Sequence, residues 1–157
     1  MSATGFSKHD HSTCIATGVA AAEEHCKTHK VQLTPVRRRV LEILLAQHNA
    51  MGAYEVLEVL RSEGLGSQPP VAYRALDFLV AQGFVHRIEQ KNAFIACAHP
   101  GEDHAPAFLI CTDCDMVAET NTPLNQGPLQ SAANDAGFTL QSSVVEALGK
   151  CPTCTAE

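Results

Sequence analysis

The chain has 157 residues, of which 45% are hydrophobic and 18% charged, and its formal net charge is -6 at pH 7. This length suits one ordinary domain or two small ones and excludes an elaborate multidomain enzyme. No apolar run reaches the roughly 18 residues that span a bilayer, and the N-terminus lacks a secretory signal pattern, so we expect a cytoplasmic protein with no membrane partner.

The positive charges are distributed unevenly along this acidic chain. Affinity for nucleic acid comes from local Lys and Arg side chains, so their positions matter more than the net charge. Between residues 37 and 91 they are Arg37, Arg38, Arg39, Arg61, Arg74, Arg87 and Lys91. After residue 91 the only further cation is Lys150. The first half of the chain is therefore the part that we expect to face DNA.

Residues 1–18 are polar and lack periodicity, so they predict a flexible tail. The metal-capable side chains of this tail are His9, His11 and Cys14. Their spacing supports no metal site. The following stretch, Gly18 to about Lys30, is rich in alanine and glutamate and predicts a short helix.

Three amphipathic helices are predicted between residues 34 and 82. Thr34 followed by Pro35 marks the first start, because Thr is a preferred N-cap and Pro is tolerated at the first helical position. The buried stripe of that helix is Val36, Val40, Ile43 and Leu44. The second helix covers Ala53–Glu63, and the third runs from Pro69 to about Gln82. In the third helix we expect Leu76, Leu79 and Val80 to be buried, with Tyr73, Arg74 and Asp77 facing away from the core.

Two alternating segments, Phe84–Glu89 and Ala93–Ala98, follow the helices and predict a β-hairpin. Three helices followed by a hairpin are typical of a winged helix-turn-helix domain. We place this domain at residues 19–98, and we predict a hinge loop at residues 99–106 from their His, Pro, Gly and acidic composition.

Residues 107–157 have a different pattern, which reads strand, strand, helix, strand. The helix is predicted near Pro128–Ala136, and the last strand within Phe138–Ala147. The expected fold class is therefore α+β, with a winged helix-turn-helix domain followed by a small α/β domain.

Two Cys-x-x-Cys pairs are the strongest chemical signal in the sequence. They are Cys111 with Cys114, and Cys151 with Cys154. Four thiolates presented from two tight turns can enclose a zinc ion tetrahedrally. The total of seven cysteines is odd, and disulfides are rare in cytosolic proteins, so metal ligation is the favoured use. A redox pair is the competing interpretation, but a catalytic Cys-x-x-Cys normally occurs once, before a helix.

A second and less regular set of metal-capable side chains flanks the predicted hinge. Its members are His86, Cys97, His99, His104 and Glu119. Each alone has a structural explanation, such as a surface histidine or a small buried thiol. Together, imidazole, thiolate and carboxylate donors can form a mixed site, and the thiolate favours zinc over iron.

From about Leu33 to Cys154 the sequence resembles the ferric uptake regulator family, and in particular its zinc uptake regulator branch. Besides the two cysteine pairs, the segments that carry the resemblance are LTPVRRRVLEIL at 33–44, GAYEVLEVLR at 52–61, PPVAYRALDFLVAQGFVHRIE at 69–89 and NAFIAC at 92–97. The chain departs from the family pattern at Val71 and Ala72, where the family usually has Thr and Val.

The resemblance implies a homodimer that binds double-stranded operator DNA, with dimerisation through residues 107–157. It also implies two zinc ions per chain. The structural ion falls on Cys111, Cys114, Cys151 and Cys154. The regulatory ion falls on His86, Cys97, His104 and Glu119, with His99 as an alternative ligand. The DNA contacts fall on Tyr54, Tyr73, Arg74 and Arg87.

The expected function is a zinc-responsive repressor of zinc uptake genes, without enzymatic activity. An iron- or peroxide-responsive regulator would keep the same fold, but the thiol of Cys97 argues against it. A zinc hydrolase would hold a catalytic water at the mixed site and use Glu119 as general base. A zinc-buffering adaptor would leave the exposed arginine of the third helix unexplained.

Overall fold

The computed structural model of the protein describes residues 6, 10–98, 100, 105–122 and 126–156. The chain divides into two compact units. The N-terminal unit is Ser7–Gly101, and the C-terminal unit is Glu102–Glu157 together with Met1–Phe6. Each of the two units contains both helices and strands, which confirms the predicted α+β class.

The first helix, α1 (His11–Thr28), begins well before the predicted start at Gly18. Asp10 caps it, because its side chain accepts a hydrogen bond from the backbone N–H of Ser12 at 2.9 Å. The predicted tail is therefore wrong for residues 11–18, which are helical. Gly18 allows α1 to pack closely on its neighbour, since a Cβ at this position would lie 2.6 Å from Cδ1 of Leu45.

The three predicted helices are present as α2 (Pro35–Leu45), α3 (Ala53–Ser62) and α4 (Pro69–Ala81). Thr34 caps α2 as predicted, and its hydroxyl accepts a hydrogen bond from the backbone N–H of Arg37 at 3.3 Å. Each helix then presents an apolar stripe at helical spacing, and the stripes meet in one core. Its largest fully buried side chains from these helices are Leu41, Leu44, Leu57, Leu60, Leu76 and Leu79.

One residue of the predicted core faces outwards. Val80 is 39% exposed, so the prediction that it is buried is wrong. The inward stripe of α4 consists of Ala72, Ala75, Leu76 and Leu79. These residues recur at intervals of three and four positions, so they lie on one face of the helix. Val80 lies outside that face.

The wing is a hairpin of β1 (Val85–Ile88) and β2 (Ala93–Ala96), which pair antiparallel with Val85 opposite Ala96. Both strands are shorter than predicted. A 3-10 turn at Glu89–Lys91 joins them, followed by Asn92 in a left-handed conformation with φ 46°. A backbone bridge between Met51 and Phe94 ties the wing to the loop before α3.

The C-terminal unit contains β3 (Ala105–Cys111), β4 (Val117–Thr122), α5 (Pro128–Asp135), β5 (Val145–Gly149) and the single-turn α6 (Pro152–Thr155). The three strands form one sheet in the order β4-β3-β5, in which β3 pairs antiparallel with β4 and parallel with β5.

The last strand differs from the prediction, since residues 138–144 are not strand. Alternating hydrophobicity alone does not make a strand, because a strand also needs a partner for its backbone. The pairing of β5 begins at Val145, opposite Ala107, close to the first residue of β3. The preceding residues have no partner strand in the described ranges. Across those same ranges, no helix has both the length and the apolar character needed to cross a membrane.

Candidate metal centres and DNA-facing surface

Parallel pairing of β3 and β5 brings the two cysteine pairs to one edge of the sheet. Cys111 is the last residue of β3 and is paired with Gly149 at the end of β5. Cys114 lies in the turn that follows β3, Cys151 follows β5 and Cys154 lies in α6. Because parallel strands end at the same edge, the two pairs meet although they are distant in sequence.

The four sulfur atoms have the geometry of a zinc site. All of them lie within 4.8 Å of one another, and the Sγ atoms of Cys114 and Cys151 are 3.7 Å apart. Zn–S bonds of about 2.3 Å in a tetrahedron place the sulfurs about 3.8 Å apart. All four are free thiols, not disulfides. The residues present therefore fit a zinc ion bound by four cysteines.

The surrounding backbone favours thiolate at one ligand. The N–H groups of Cys151 and Cys114 donate to Cys111 Sγ, the first of them at 3.3 Å, and lower the pKa of Cys111 to about 6. The pKa of Cys154 is raised, because hydrogen bonds with the neighbouring thiols of Cys151 and Cys114 favour its protonated form. A cation at the centre would have the opposite effect, since a metal ion favours the charged form of every thiol around it.

An ion pair joins the two cysteine-bearing turns. Lys150 Nζ lies 3.1 Å from a carboxylate oxygen of Asp113, which raises the pKa of Lys150. The backbone N–H of Thr112 also donates to the carbonyl of Gly149 at 2.8 Å. No local sequence pattern predicts this pairing. The sequence shows only that oppositely charged residues lie next to the two cysteine pairs.

The two proposed regulatory ligands of the wing lie side by side. His86 is half-buried on β1, and Cys97 directly follows β2 and is 5% exposed. The backbone N–H of Cys97 donates to the carbonyl of Phe84 at 2.8 Å, which fixes Cys97 beside β1. The ligand atoms of His86 and Cys97 lie within 4.8 Å of each other. An imidazole and a thiolate are thus presented together at the base of the wing.

Glu119 belongs to the C-terminal unit, on β4, where it pairs with Phe108. It is 6% exposed and is the one buried charged residue within the described ranges. Burial of a carboxylate is costly unless the group is paired or binds a metal. The two remaining predicted ligands, His99 and His104, lie outside the described residues.

Two of the predicted DNA contacts are exposed on α4. Tyr73 is 40% exposed, and Arg74 beside it is also exposed. Within the part of the chain that the structure describes, the guanidinium of Arg74 has no hydrogen bond or ion pair. An uncommitted cation on an exposed helix face suits a phosphate or a base edge.

The other two predicted DNA contacts lie beside α4 in the same unit. Tyr54, on α3, is 64% exposed. Arg87, on β1, donates to the side chain of Asn92 at 2.7 Å and lies 3.8 Å from Glu89. The wing arginine is therefore held in place by its own hairpin.

The arginine run of α2 is used inside the N-terminal unit, in contrast to its expected part in a DNA-facing surface. Arg37 lies 3.8 Å above the ring of Phe78. Further along, Arg38 pairs with Glu23 of α1, and Arg39 binds Glu63 at 2.7 Å and Glu42 at 3.1 Å. Counting positive charges along the sequence therefore overstates what is available for DNA.

Comparison with known proteins identifies relatives along most of the chain. A sequence model of the Ferric uptake regulator family matches residues 28–148. The zinc uptake regulation protein of Escherichia coli (strain K12) is 38% identical over 137 residues, which are 87% of this chain and 80% of that protein.

Two solved structures are similar over nearly the whole chain. The structure of a zinc uptake regulator complexed with zinc and DNA has 35% identity and a TM-score of 0.82, covering 95% of this chain and 97% of the other. The crystal structure of holo XcZur has 38% identity and a TM-score of 0.79, covering 90% of this chain and 99% of the other.

Proposed function

The chain belongs to the ferric uptake regulator family, and we propose that it is a zinc-responsive repressor, which binds operator DNA as a homodimer and represses zinc uptake genes. The family is one of transcription regulators, not of enzymes, and we assign no catalytic activity. A repressor of this kind acts in the cytoplasm, where its operator lies. The observation that carries the zinc assignment is the thiol of Cys97 beside the imidazole of His86, since a soft donor favours zinc over iron.

We assign the structural zinc ion to Cys111, Cys114, Cys151 and Cys154. Sulfur separations that suit a tetrahedral site support this assignment. A bound zinc ion at such a site supplies folding free energy by cross-linking its ligands. The backbone N–H groups that donate to Cys111 stabilise its thiolate, and the pair of Lys150 with Asp113 holds the two turns together.

The regulatory ion is the second of two per chain in this proposal. Its ligands are His86, Cys97, His104 and Glu119, with His99 as the alternative to His104. His86 and Cys97 belong to the N-terminal unit, and Glu119 belongs to the C-terminal unit. A full ligand set thus requires the two units to meet in one arrangement, and DNA binding would depend on zinc through its differential affinity for that arrangement.

The proposed DNA reader is the exposed face of α4. Arg74 can form a bidentate pair with guanine in the major groove, and Tyr73 can pack on a thymine methyl. Tyr54 and Arg87 would contact the DNA backbone on either side. The hydrogen bond of Arg87 to Asn92 orients its guanidinium, which lowers the rotamer entropy that would be lost on binding.

The proposed dimer interface is the apolar surface that the C-terminal unit leaves exposed. Its large side chains are Leu109, Leu129, Phe138, Val144, Val145 and Leu148, each between 37% and 62% exposed. Several large apolar side chains left exposed on one small unit are typical of a protein interface, and a symmetric dimer buries the same residues on both subunits.

Operator binding under controlled metal is the test of the proposed function. Promoter DNA of neighbouring genes is titrated under buffered free zinc and, separately, under anaerobic ferrous iron at one fixed salt concentration. We expect specific binding that rises with zinc alone. Binding that rises only with iron would keep the fold and replace the zinc sensor by an iron sensor, and no specific binding with either metal would remove the repressor function.

A pair of cysteine variants locates the sensing site in the same assay. Cys97→Ser should weaken zinc-dependent DNA binding while the protein remains folded. Cys26→Ser is the matched control, because Cys26 is also a buried cysteine of the N-terminal unit but lies outside the proposed site. A normal zinc response in Cys97→Ser would show that this thiol is not a ligand.

A further inference from the structure

Residues 92–157 contain one lysine and no arginine, and that lysine lies beside the four-cysteine cluster. It is Lys150, the residue before Cys151, and the same segment carries several Asp and Glu residues. Its Nζ lies 3.1 Å from a carboxylate oxygen of Asp113, which lies between the cysteines of the first pair. The single lysine of an otherwise acidic segment is thus placed at the cluster where thiolates gather when zinc is bound.

Zinc binding changes the charge of this cluster. Free thiols are mostly protonated at neutral pH, whereas zinc binds the deprotonated form and releases the protons. Four thiolates carry twice the charge of the zinc ion that they surround, so the loaded cluster is an anion. A positive charge close to the sulfurs therefore stabilises the loaded cluster more than the empty one.

Lys150 lies close enough to the sulfurs to have this effect. The carboxylate of Asp113 raises the pKa of Lys150 most, and the negative charges of Cys154 and Cys111 raise it further. Electrostatic attraction is mutual, so an ammonium that is stabilised by thiolates also stabilises them. The backbone N–H of Cys151, which donates to Cys111, supplies only a partial positive charge in comparison.

The contact with Asp113 determines where the ammonium lies. Lysine has a long and flexible stem, and the side chain of Lys150 is 60% exposed, so without a partner its ammonium would extend into solvent. The backbone N–H of Thr112 donates to the carbonyl of Gly149 at 2.8 Å, which holds the two cysteine-bearing turns side by side. The ion pair therefore joins the two turns and keeps the ammonium at the cluster.

We propose that Lys150 is the counter-charge of the zinc-loaded four-cysteine cluster and that Asp113 positions it. The pair then strengthens zinc retention through charge, in addition to linking the two turns. This inference rests on the assignment of zinc to the four cysteines in the proposed function. Both side chains are exposed, and exposed ion pairs contribute little, so the expected change in zinc affinity is modest, about 2- to 5-fold.

Competition with a neutral chelator measures zinc retention by the full-length protein at neutral pH. A neutral chelator is chosen because the charge of Lys150 neither attracts nor repels it. We expect Lys150→Met to bind the zinc of the four-cysteine site about 2- to 5-fold more weakly at low salt. Lys150→Arg should restore the affinity, since it keeps the charge at a similar reach. At about 1 M salt, where the screening length is about 3 Å, the difference should become much smaller.

Three further variants separate the counter-charge from other effects. Asp113→Asn breaks the ion pair but leaves the ammonium, so it should weaken zinc retention less than Lys150→Met. Gln141→Glu changes the net charge as much as Lys150→Met does, at an exposed position before β5, and should leave retention unchanged. The ion that Cys111→Ser fails to retain identifies the zinc of the four-cysteine site. Circular dichroism checks that the Lys150, Asp113 and Gln141 variants are folded.

The outcomes test the inference and the zinc assignment separately. If Cys111→Ser keeps all of its zinc, the assignment is wrong and the inference fails with it. If zinc binding depends on Cys111 but Lys150→Met retains zinc as well as the unmodified chain, only the counter-charge is wrong. A loss in Lys150→Met that persists at high salt, that Lys150→Arg does not restore, or that Gln141→Glu shares would also overturn the inference.

Discussion

The two units of the molecule bury their apolar side chains to very different degrees. In the N-terminal unit, α2, α3, α4 and the wing share one core, and even Leu60, Leu76 and Leu79 are completely buried. In the C-terminal unit, the bulky side chains that are fully buried in the described ranges are Phe108, Ile110 and Val117. Leu148 and Phe138 of the same unit are more than half exposed.

This difference indicates what each unit needs in order to fold. A core of several fully buried leucines contributes about 1.5–3 kcal/mol for each side chain, which suffices for a small helical unit. A three-stranded sheet with three bulky side chains buried in the described ranges has a much smaller contribution of this kind. Small units of this kind are usually stabilised by disulfides, metals or oligomerisation. We therefore expect the N-terminal unit to depend on its core, and the C-terminal unit on its four thiolates and its dimer partner.

Removal of one structural ligand should give the largest effect. We expect Cys111→Ser to lose the zinc of the four-cysteine site and the ordered structure of the C-terminal unit. Structural zinc sites bind with apparent free energies of about 10–16 kcal/mol, comparable to the whole stability of a domain. Hydrogen exchange should show lost protection across β3, β4 and β5, while α2, α3 and α4 remain protected.

Thr112→Ser is the matched control for that variant, since it changes the same turn and keeps the hydroxyl that donates to Gly149. Full zinc content and an unchanged melting temperature in Cys111→Ser would refute the dependence of the C-terminal unit on its thiolates.

A pair of leucine substitutions compares the two units directly. Leu60 is 0% exposed and Leu148 is 56% exposed. Leu60→Ala should lower the free energy of unfolding by about 2–5 kcal/mol at any protein concentration, because it leaves a cavity in the core. Leu148→Ala should weaken the dimer, so its effect should grow as the protein is diluted. Denaturant unfolding and sedimentation at several concentrations measure both.

If Leu148→Ala destabilises as strongly as Leu60→Ala and without dependence on concentration, then the exposed apolar surface is not an interface. In that case the C-terminal unit would not depend on its dimer partner for stability, and the proposed difference between the units would be wrong.

Local signals allowed most of the N-terminal unit to be predicted. The starts of α2 and α4 follow from Thr34 and from Pro69, and the outward position of Tyr73 follows from helical periodicity. The start of α1 was missed because one capping residue, Asp10, decides it within an irregular stretch. The partners of the α2 arginines were also missed, since they depend on how α1 and α3 pack against α2.

The predicted metal ligands also divide into local and non-local features. The spacing of each Cys-x-x-Cys pair is local, so the sequence alone predicts that these four thiols can enclose a zinc ion. Its geometry depends on the parallel pairing of β3 with β5, which no local pattern encodes. The pairing of Lys150 with Asp113 and the approach of His48 to His11 are equally non-local, so only the folded structure shows them.

Within the N-terminal unit, arginines that pair inside the fold can be distinguished from Arg74, which is proposed to read DNA. Arg74→Ala should reduce discrimination between operator and unrelated DNA by roughly 1–3 kcal/mol while the zinc content and the dimer remain. Arg38→Ala is the control, because Arg38 is paired with Glu23 and should leave discrimination unchanged. Competition binding at fixed salt measures the difference. Unchanged selectivity in Arg74→Ala would remove Arg74 from the proposed reader.

A substitution at a helix cap has the smallest expected effect, and it tests whether the stability of one unit is independent of the other. Thr34→Ala removes the cap of α2, whose hydroxyl accepts from the N–H of Arg37 at 3.3 Å. We expect a loss of about 1 kcal/mol in the unfolding free energy of the N-terminal unit. Zinc retention by the four cysteines, measured by competition with a chelator, should not change. Thr139→Ala, an exposed substitution outside any helix or strand, should change neither quantity. If Thr34→Ala also weakens zinc retention, the stabilities of the two units are coupled, and the core contributes to the C-terminal unit as well.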